Sequence, residues 1–431
     1  MVASIRNINR KNQYPLRSSA DLDPLLTAIG DARYVLLGEA THGTHEYYTW
    51  RTAVSKRLIQ EKGFSFIAVE GDWPDCYRIN RFVKGYADAG ESAADVLKSF
   101  RRWPTWMWAN WEIAALMEWM REYNRNRPVH EKVGFYGLDV YSLWESMEVI
   151  VHYLRREDPQ AARYAMEAIR CFEPYKEEQH YARAMLTLST HCANEVVKLL
   201  QVVRKRSRNY DHDPEAALNA EMNAQVIANA EHYYRAMISF QHESWNIRDS
   251  HMVAALDSIM RFYGRRAKGI VWEHNTHVGD ARYTDMKDQG MWNVGQLVRE
   301  KHRESSGVYI AGFASWAGTV MAGSAWGGVM EKMTIPPAPE GTLEYILHED
   351  SAEDKLILLN NEYWNKRFHD YIGHRAIGVV YQPQYDRAQF VPTILPSRYD
   401  ALLYLDRTRA LHPLYFEPDG GQLPETYPFG V

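Results

Sequence analysis

Short apolar runs bounded by turn residues recur along the chain. Four of them, "YVLLGEATH", "FSFIAVEGDW", "KVGFYGLDVY" and "AKGIVWEHNTHVGD", are followed at once by acidic or histidine side chains. Continuous apolar runs of this length are typical of parallel strands that are covered on both faces. The runs "GVYIAGF" from Gly307 and "AIGVVYQ" from Ala376 predict further strands. Because helical patterns separate most of the runs, we predict an α/β fold with a mostly parallel sheet flanked by helices.

The strand pattern stops between about residues 141 and 263, where apolar residues return at helical spacing. "SLWESMEVIVHYLRR" and "AEMNAQVIANAEHYYRAMI" both show this spacing. The polar stretch "RKRSRNYDHDPEAAL" divides this part, and we expect Asp211 or Asp213 to cap a helix whose first turn begins with Pro214. The pattern predicts a large helical insertion.

The chain has 431 residues, so it is expected to hold either two domains or one large α/β unit with an insertion. We predict a single catalytic domain over residues 1–431, with an α/β core at about 25–140 and 264–415. The glycine-rich and then proline-rich stretch "MAGSAWGGVMEKMTIPPAPEGTLEYIL" predicts a long loop at the rim of a site.

The charge pattern bears on the class of partner. The formal net charge is -5, and the basic residues are scattered except in "RKRSR" at Arg204–Arg208. Such a pattern offers no basic field for phosphate backbones, so nucleic acid is not an expected partner. Since no apolar run approaches the length of a bilayer span, a membrane is not an expected partner either. The oligomeric state does not follow from the sequence.

The cysteines and the first residues bear on the compartment. Cys76, Cys171 and Cys192 form no C-x-x-C pair and are too few for a disulfide framework, which suits a reducing compartment. The start "MVASIRNINRKNQYPL" lacks the apolar central region of a secretory signal. We therefore predict a cytoplasmic protein.

Acidic and histidine side chains follow the first four predicted strands. In open α/β sheets ligands bind beyond the carboxyl ends of the strands, so these side chains are expected to converge. Burying them costs stability unless they are paired or used. They are Glu39 and His42; Glu70 and Asp72; Asp139; and Glu273, His274, His277 and Asp280.

The chain offers no evident side-chain nucleophile. No G-x-S-x-G motif is present, and Cys76 has no histidine beside it in the sequence. Cys171 and Cys192 fall within predicted insertion helices. Abundant acid and base groups without a nucleophile indicate an attacking water that a base activates.

Two routes to such a water remain open from the residues alone. In the first, His42 takes the proton, Glu39 or Glu70 orients the imidazole, and a second histidine with an arginine stabilises the oxyanion. In the second, a divalent metal lowers the pKa of its bound water. The ligands in that second route come from "HGTHE" (His42, His45 and Glu46) and "HNTHVGD" (His274, His277 and Asp280). No H-E-x-x-H motif supports the metal.

Two further stretches have both a structural and a functional interpretation. "RRWPTWMWANWEIAALMEWM" carries five Trp, which could line an apolar cleft or pack between helix and sheet. "WNIRDSHMVAAL" places Arg248 and Asp249 at the expected head of a helix, where Asp249 would favour the dipole and Arg248 could reach the site.

Several motifs, in order, resemble the erythromycin esterase family over about residues 25–413. They are "LLGEATHGTHEYYTWR", "FIAVEGDWPDCYRIN", "GFYGLDVYSLW", "RDSHM", "VWEHNTHVGD" and "LPSRYDALLYLDRTRALHP". The resemblance implies an α/β core with a large helical portion over a deep cleft, and hydrolysis of esters such as the lactone ring of macrolide antibiotics. It also implies that no metal is required.

Residue by residue, the resemblance places the Gly-Glu-x-x-His signature on Gly38, Glu39 and His42, with His42 as the base that activates water. The predicted catalytic residues are His42, Glu39, Glu70, Arg51, His277 and His274. The predicted substrate-binding residues are Asp139, His45, Trp73 and Arg248. We expect no cofactor and no metal.

The leading hypothesis is thus a hydrolase that cleaves a small-molecule ester or lactone by direct attack of water, without a covalent intermediate. One alternative is a metal-dependent hydrolase that uses the same histidine and glutamate clusters. Another is a protein of the same scaffold that binds a small apolar ligand without turning it over.

Overall fold

The computed structural model describes residues 12–87, 89–172, 192, 203, 215–239, 241–302 and 307–414. The strands in these ranges are β1 (Gln13–Pro15), β2 (Tyr34–Leu37), β3 (Phe66–Asp72), β4 (Gly134–Asp139), β5 (Gly269–Trp272), β6 (Val308–Gly323), β7 (Met330–Ile335), β8 (Lys355–Leu358), β9 (Ile372–Arg375), β10 (Phe390–Thr393) and β11 (Ala401–Thr408).

The α-helices in these ranges are α1 (Asp23–Ile29), α2 (His45–Lys62), α3 (Trp73–Val83), α4 (Ala93–Leu97), α5 (Trp111–Asn124), α6 (Leu143–Glu157), α7 (Pro159–Ile169), α8 (Ala216–Ser239), α9 (Gln241–Tyr263), α10 (Asn275–Val278), α11 (Val294–His302), α12 (Leu343–Asp350), α13 (Glu362–Arg367) and α14 (Leu395–Arg398). Short 3₁₀ helices lie at Ser19–Leu22, Thr105–Met107, Val129–Glu131, Ala281–Tyr283, Asp285–Gln289 and Pro383–Ala388.

The main sheet has the strand order β1-β8-β11-β6-β2-β5-β3-β4, and β7 pairs with β6 beside this path. All pairs from β11 to β4 are parallel, whereas β8 joins β11 and β7 joins β6 in antiparallel fashion. Strands β9 and β10 form a separate two-stranded sheet. The predicted α/β fold with a mostly parallel sheet is confirmed, and the first four predicted strands lie side by side as β2-β5-β3-β4.

Both faces of the sheet are covered around its central strands, which explains why β2 and β5 carry only apolar residues and glycine. In β2, Val35 and Leu37 pack on the face that carries α2 and α5, while Leu36 packs on the face that carries α9 and α12. Successive side chains of a strand point to opposite faces, so a continuous apolar run is required here.

The described parts of residues 141–263 are helical, in agreement with the spacing of their apolar residues. Helices α6, α7 and α8 share a hydrophobic cluster that includes Leu143, Ala162 and Ile227. The predicted cap at Asp211 or Asp213 and the helix start at Pro214 lie outside the described residues.

Two segment predictions are wrong. The run from Ala376 is not a strand, because it makes only isolated bridges between Ile377 and Thr41 and between Val380 and Gly323. The predicted rim loop instead contains β7 and the start of α12. Its buried positions fit a strand paired with the long β6, but the flanking glycines and prolines hide that pattern.

The cysteine expectation also needs correction. Cys171 and Cys192 form a disulfide with an S–S distance of 2.07 Å, and Cys76 is a buried free thiol. Disulfides are characteristic of oxidising compartments, so cysteine usage no longer favours a reducing one. None of the described helices combines the length and apolar composition that a bilayer span requires. The cytoplasmic location stays a prediction.

Candidate active site

Four adjacent strands bring their carboxyl ends to one edge of the sheet. Glu39 follows β2, Glu70 lies near the end of β3, Asp139 ends β4, and His274 follows β5. The order β2-β5-β3-β4 makes these ends neighbours, as the rule for open α/β sheets requires. All four side chains are buried, so their charges and hydrogen bonds must be compensated within the protein.

Glycine at position 38 allows the close approach of two strand ends. A Cβ atom there would lie 2.1 Å from Oδ1 of Asn275. Asn275 donates its backbone N–H to Glu39 O at 2.8 Å and its side-chain amide to Phe313 O at 2.7 Å. The Gly-Glu pair therefore fixes the start of the β2 loop against the β5 loop.

Glu39, His42 and Arg51 form the first cluster of the site. Oε1 of Glu39 lies 2.9 Å from Nδ1 of His42, and Oε2 accepts from Nη2 of Arg51 at 2.6 Å. Because an ionised carboxylate only accepts, Nδ1 of His42 carries the hydrogen and Nε2 presents a lone pair. Nε2 of His42 has no hydrogen-bond partner among the described residues. This is the arrangement of a general base.

Arg248, from the interior of α9, is the centre of the second cluster. Its Nε and Nη2 donate to the two carboxylate oxygens of Asp139 at 3.0 and 2.7 Å, and Nη2 also donates to Glu70 Oε1 at 2.6 Å. Burial alone would raise the pKa of Glu70, but His277 and Arg248 hold that pKa below its usual range. Asp139 and Glu70 are thus joined through one buried guanidinium.

His277 extends this cluster toward a second carboxylate. Its Nδ1 lies 3.0 Å from both carboxylate oxygens of Asp249, and its ring stacks on Trp245 with centroids 4.5 Å apart. Burial alone would lower the pKa of His277, but Asp249 and Glu70 outweigh burial and raise it to about 9. In the neutral form Nε2 accepts from Arg248 at 3.1 Å, and on protonation it faces Glu70 Oε1 at 3.6 Å.

His274 connects the two clusters. Its backbone N–H donates to Glu70 Oε2 at 2.9 Å, and its ring centroid lies 4.9 Å from that of His42. Nδ1 of His274 accepts from the backbone N–H of Thr276 at 3.3 Å, so a neutral imidazole carries its hydrogen on Nε2. Burial, reinforced by the neighbouring His42, lowers the pKa of His274 well below its usual value, which keeps the ring neutral. The site therefore pairs an accepting Nε2 with a donating one.

Glu273 is a further buried acid beside these groups. Neither of its carboxylate oxygens has a hydrogen-bond partner among the described residues. Burial, reinforced by the charges of Glu70 and Asp249, raises the pKa of Glu273 well above its usual value. Burial therefore favours the neutral form of Glu273.

Sequence reasoning missed the roles of two residues of α9. Asp249 was expected to favour a helix N-terminus, but both it and Arg248 lie in the interior of α9 and reach the site. Trp245, one turn earlier, contacts the His277 ring. An Arg-Asp pair inside a helix with buried neighbours was the available signal, since both charges had to find partners.

Two predicted substrate-binding residues lie outside these clusters. Trp73 stacks between Tyr77 and Tyr136 and donates Nε1 to Asn219 of α8 at 2.9 Å. His45 is the first residue of α2, and its Nδ1 lies 2.5 Å from Oε1 of Glu112.

The six ligands of the alternative metal route are not brought together. Glu46 accepts from Arg409, and Asp280 accepts from Arg282 and Arg299. With His45 also engaged elsewhere, His42, His274 and His277 remain as the members of that set in the two clusters.

Comparison with known proteins shows the family of the chain. The family model described as "Erythromycin esterase" matches residues 59–408. This chain belongs to the erythromycin esterase family. The coarse class that this membership supports is a hydrolase of the esterase type.

Individual relatives of the family are distant in sequence. Erythromycin esterase type II of Escherichia coli is 27% identical over 190 residues, which cover 43% of this chain and 42% of that relative. The putative hydrolase YbfO of Bacillus subtilis (strain 168) is 22% identical over 416 residues, 88% of each chain. The chain thus aligns with less than half of the first relative's length.

Solved structures of relatives share the fold. A succinoglycan biosynthesis protein has a TM-score of 0.75 at 21% identity, with 96% of this chain and 99% of the other covered. A mutant of the erythromycin esterase EreC in its open conformation has a TM-score of 0.65 at 15% identity, with 92% and 98% covered. The architecture of the erythromycin esterase family therefore extends over nearly the whole chain.

The Asp249–His277 pair makes a prediction about pH. The raised pKa of His277 means that its protonation favours the folded state, fully below its ordinary pKa of about 6.5. This contribution is lost as the pH rises through about 9. In Asp249→Asn the pKa of His277 is expected to fall toward or below 6.5, since burial remains and the nearest carboxylate is gone.

The measurement is an NMR titration of the His277 ring together with the free energy of unfolding at several pH values. The stability gap between wild type and Asp249→Asn should narrow as the pH rises through about 9. Asp288→Asn, at an exposed position, is the control and should leave the His277 pKa unchanged. An unaltered His277 pKa in Asp249→Asn would contradict the assignment.

Proposed function

We propose that this protein hydrolyses carboxylic esters or lactones by direct attack of a water that His42 activates. The observation that carries the proposal is the buried Nε2 of His42, which Glu39 sets as an acceptor and which has no partner among the described residues. Such an atom is suited to take a proton from water.

The neighbouring groups supply the remaining steps. As water adds to the substrate carbonyl, its proton moves to Nε2 of His42, and Glu39 stabilises the resulting imidazolium at 2.9 Å from Nδ1. The Nε2–H of neutral His274 is the proposed donor to the oxyanion, because the two imidazole rings are adjacent. When the tetrahedral intermediate collapses, the His42 imidazolium returns the proton to the leaving alkoxide.

Arg51 has a supporting role in this scheme. Its guanidinium lies over the rings of Tyr48 and Trp272, which fixes its position, and its Nη2 neutralises Glu39. Nε and Nη1 of Arg51 have no hydrogen-bond acceptor among the described residues, so they can serve a substrate oxygen. The guanidinium therefore orients Glu39 and adds positive charge where the oxyanion develops.

The Arg248 cluster is proposed to hold the scaffold of the site. Glu70 binds the backbone N–H of His274 through one oxygen and Arg248 through the other. This places Glu70 as a positioning residue for the His274 loop and links α9 to the strand ends.

Macrolide lactones are candidates within the proposed substrate class, because a relative carries the name erythromycin esterase. The test is a panel of activated aryl esters, small lactones and fourteen-membered macrolides, followed by product analysis. Turnover of at least one class is expected, with equimolar acid and alcohol formed from an acyclic ester or one ring-opened hydroxy acid formed from a lactone. Tight binding of a panel member without turnover of any would contradict hydrolysis and favour the ligand-binding alternative.

The absence of a covalent intermediate requires its own experiment. Stopped-flow traces with an activated ester should show no burst of alcohol release, and acid-quenched protein should keep its native mass. A burst together with an added acyl mass would overturn direct attack by water while leaving the esterase class intact.

A further inference from the structure

A second group of chemically competent side chains lies outside the candidate active site. His45, Glu112 and His412 place one donor atom each within 4.8 Å of one another. Both imidazoles turn Nδ1 toward the same oxygen, Oε1 of Glu112, at 2.5 Å for His45 and 2.7 Å for His412. None of the three belongs to the clusters around His42 and Arg248.

The backbone fixes the three segments that carry these side chains. His45 is the first residue of α2 and donates its N–H to Arg409 O at 2.8 Å. Trp111, which precedes Glu112, donates its N–H to His412 O at 3.0 Å. The three side chains are thus preorganised by backbone hydrogen bonds that do not involve their own rings or carboxylate.

Hydrogen bonding within the group leaves one atom unsatisfied. Oε1 of Glu112 can accept from both imidazoles, but Oε2 is buried and has no partner among the described residues. The Glu112 side chain is only 5% exposed, so water does not readily serve Oε2. An unpartnered buried carboxylate oxygen is costly, which indicates that a further ligand belongs here.

We propose that His45, Glu112 and His412 bind a divalent transition-metal ion, with zinc as the representative. Two imidazole nitrogens and one carboxylate oxygen are a donor set that suits zinc, nickel or copper rather than magnesium or calcium. The ion would join the starts of α2 and α5 to the segment that follows β11.

The geometry permits this ion with small side-chain movements. Donors about 2.0–2.2 Å from a tetrahedral ion lie about 3.3 Å apart, so the nitrogen–oxygen distances of 2.5 and 2.7 Å must widen by less than about 1 Å. The His45 side chain is 22% exposed and that of His412 is 58% exposed. Solvent therefore reaches the donors from the His412 side, which gives an ion a route of entry.

The rings of His45 and His412 are not stacked face to face, an arrangement that would leave no room for an ion between them. Their centroids are 5.1 Å apart and the planes meet at 82°, so the rings do not stack. Two neutral imidazoles, one carboxylate and a divalent ion give a local charge of +1. A water or hydroxide can complete the tetrahedral coordination as the fourth ligand.

The test uses the full chain without an affinity tag, stripped of metal by a chelator and then titrated with zinc chloride. The expected result is one equivalent bound tightly, a rise in Tm that saturates at that equivalent, and visible ligand-field bands when cobalt replaces zinc. Magnesium and calcium chlorides should produce no comparable effect.

His412→Ala removes a ligand from an exposed position, and Glu112→Gln keeps the shape of the buried one. Both are expected to weaken zinc binding by at least ~10-fold, since even loss of an outer-shell partner costs about 10–100-fold. The control is His369→Ala, which removes an exposed histidine elsewhere and should bind zinc as the wild type does.

Wild-type zinc affinity in His412→Ala and Glu112→Gln would overturn the assignment, as would equal binding of calcium. Failure of zinc, nickel and copper alike to bind the wild type would also overturn it. Circular dichroism of each variant shows that a loss of binding reflects the ligand and not the fold. Because metal content is measured, the outcome does not depend on whether the esterase proposal holds.

Discussion

Replacement of His42 by asparagine is expected to lower kcat for ester hydrolysis by about 10²–10⁴-fold, the usual contribution of a general base. The physical reason is that asparagine has no lone pair of comparable basicity at the position of Nε2. Glu39 keeps its hydrogen bond from Arg51, so the buried carboxylate retains a partner. The fold should therefore remain intact while the chemical step is lost.

The measurement compares kcat and the free energy of unfolding for wild type and variant. His130→Asn is the control, because the His130 side chain is 81% exposed and pairs with Glu131, which belongs to neither cluster of the site. Glu39→Gln should give a smaller loss of kcat, since Nδ1–H still has an acceptor but the imidazolium that forms in the reaction loses its charge partner. Near-normal turnover in His42→Asn would remove His42 from its central role.

The sequence allowed prediction of those elements whose residues are constrained locally. The strands β2, β3, β4 and β5 begin as apolar runs and have polar side chains at or just beyond their carboxyl ends, so both the strand type and its direction were evident from the sequence. Strands β1 and β9 were not predicted, because they are short and partly exposed at the edge of their sheets. Their pairing depends on contacts with distant segments that no local pattern records.

The run from Ala376 has the composition of a buried strand but does not form one. Ile377 and Tyr381 are apolar because they pack against Val320 and Ile335, not because they belong to a ladder. Burial alone produces the same composition as a central strand, so pattern cannot separate the two.

Some residues of the candidate site could likewise be predicted from local sequence, and others could not. Glu39, Glu70 and Asp139 lie at or just beyond the carboxyl ends of strands, and the topology of an open sheet is sufficient to bring them together. The contributions of Asp249 and Trp245 depend on how α9 is rotated against the sheet, which only tertiary packing decides. Likewise, His45 follows His42 by three residues, yet it starts a helix and faces α5 instead of the strand ends.

Arg248 lies on α9 and binds the carboxylates at the ends of β3 and β4. Its replacement is expected to have the largest effect on stability. Replacement by methionine should destabilise the protein by about 3–5 kcal/mol, because it leaves buried carboxylates without their cation. Asp139 loses a bidentate partner with contacts of 2.7 and 3.0 Å, and Glu70 loses one of 2.6 Å. Methionine fills much of the same volume, so the change reports charge more than packing.

The measurement is urea unfolding followed by tryptophan fluorescence, with Arg125→Met as the control. Arg125 pairs with Glu122 at an exposed position, where its side chain is 68% accessible, so its replacement should cost no more than about 1 kcal/mol. A double-mutant cycle then tests the mechanism. Asp139→Asn should lower the free energy of unfolding by less in the Arg248→Met background than in the wild type, because Asp139 is already an unpaired buried charge there and the substitution removes that charge. Equal losses of unfolding free energy in Arg248→Met and Arg125→Met would show that Glu70 and Asp139 are uncharged in the folded protein. The positions of His274 and His277 would then have to be explained by neutral hydrogen bonds and not by ion pairs.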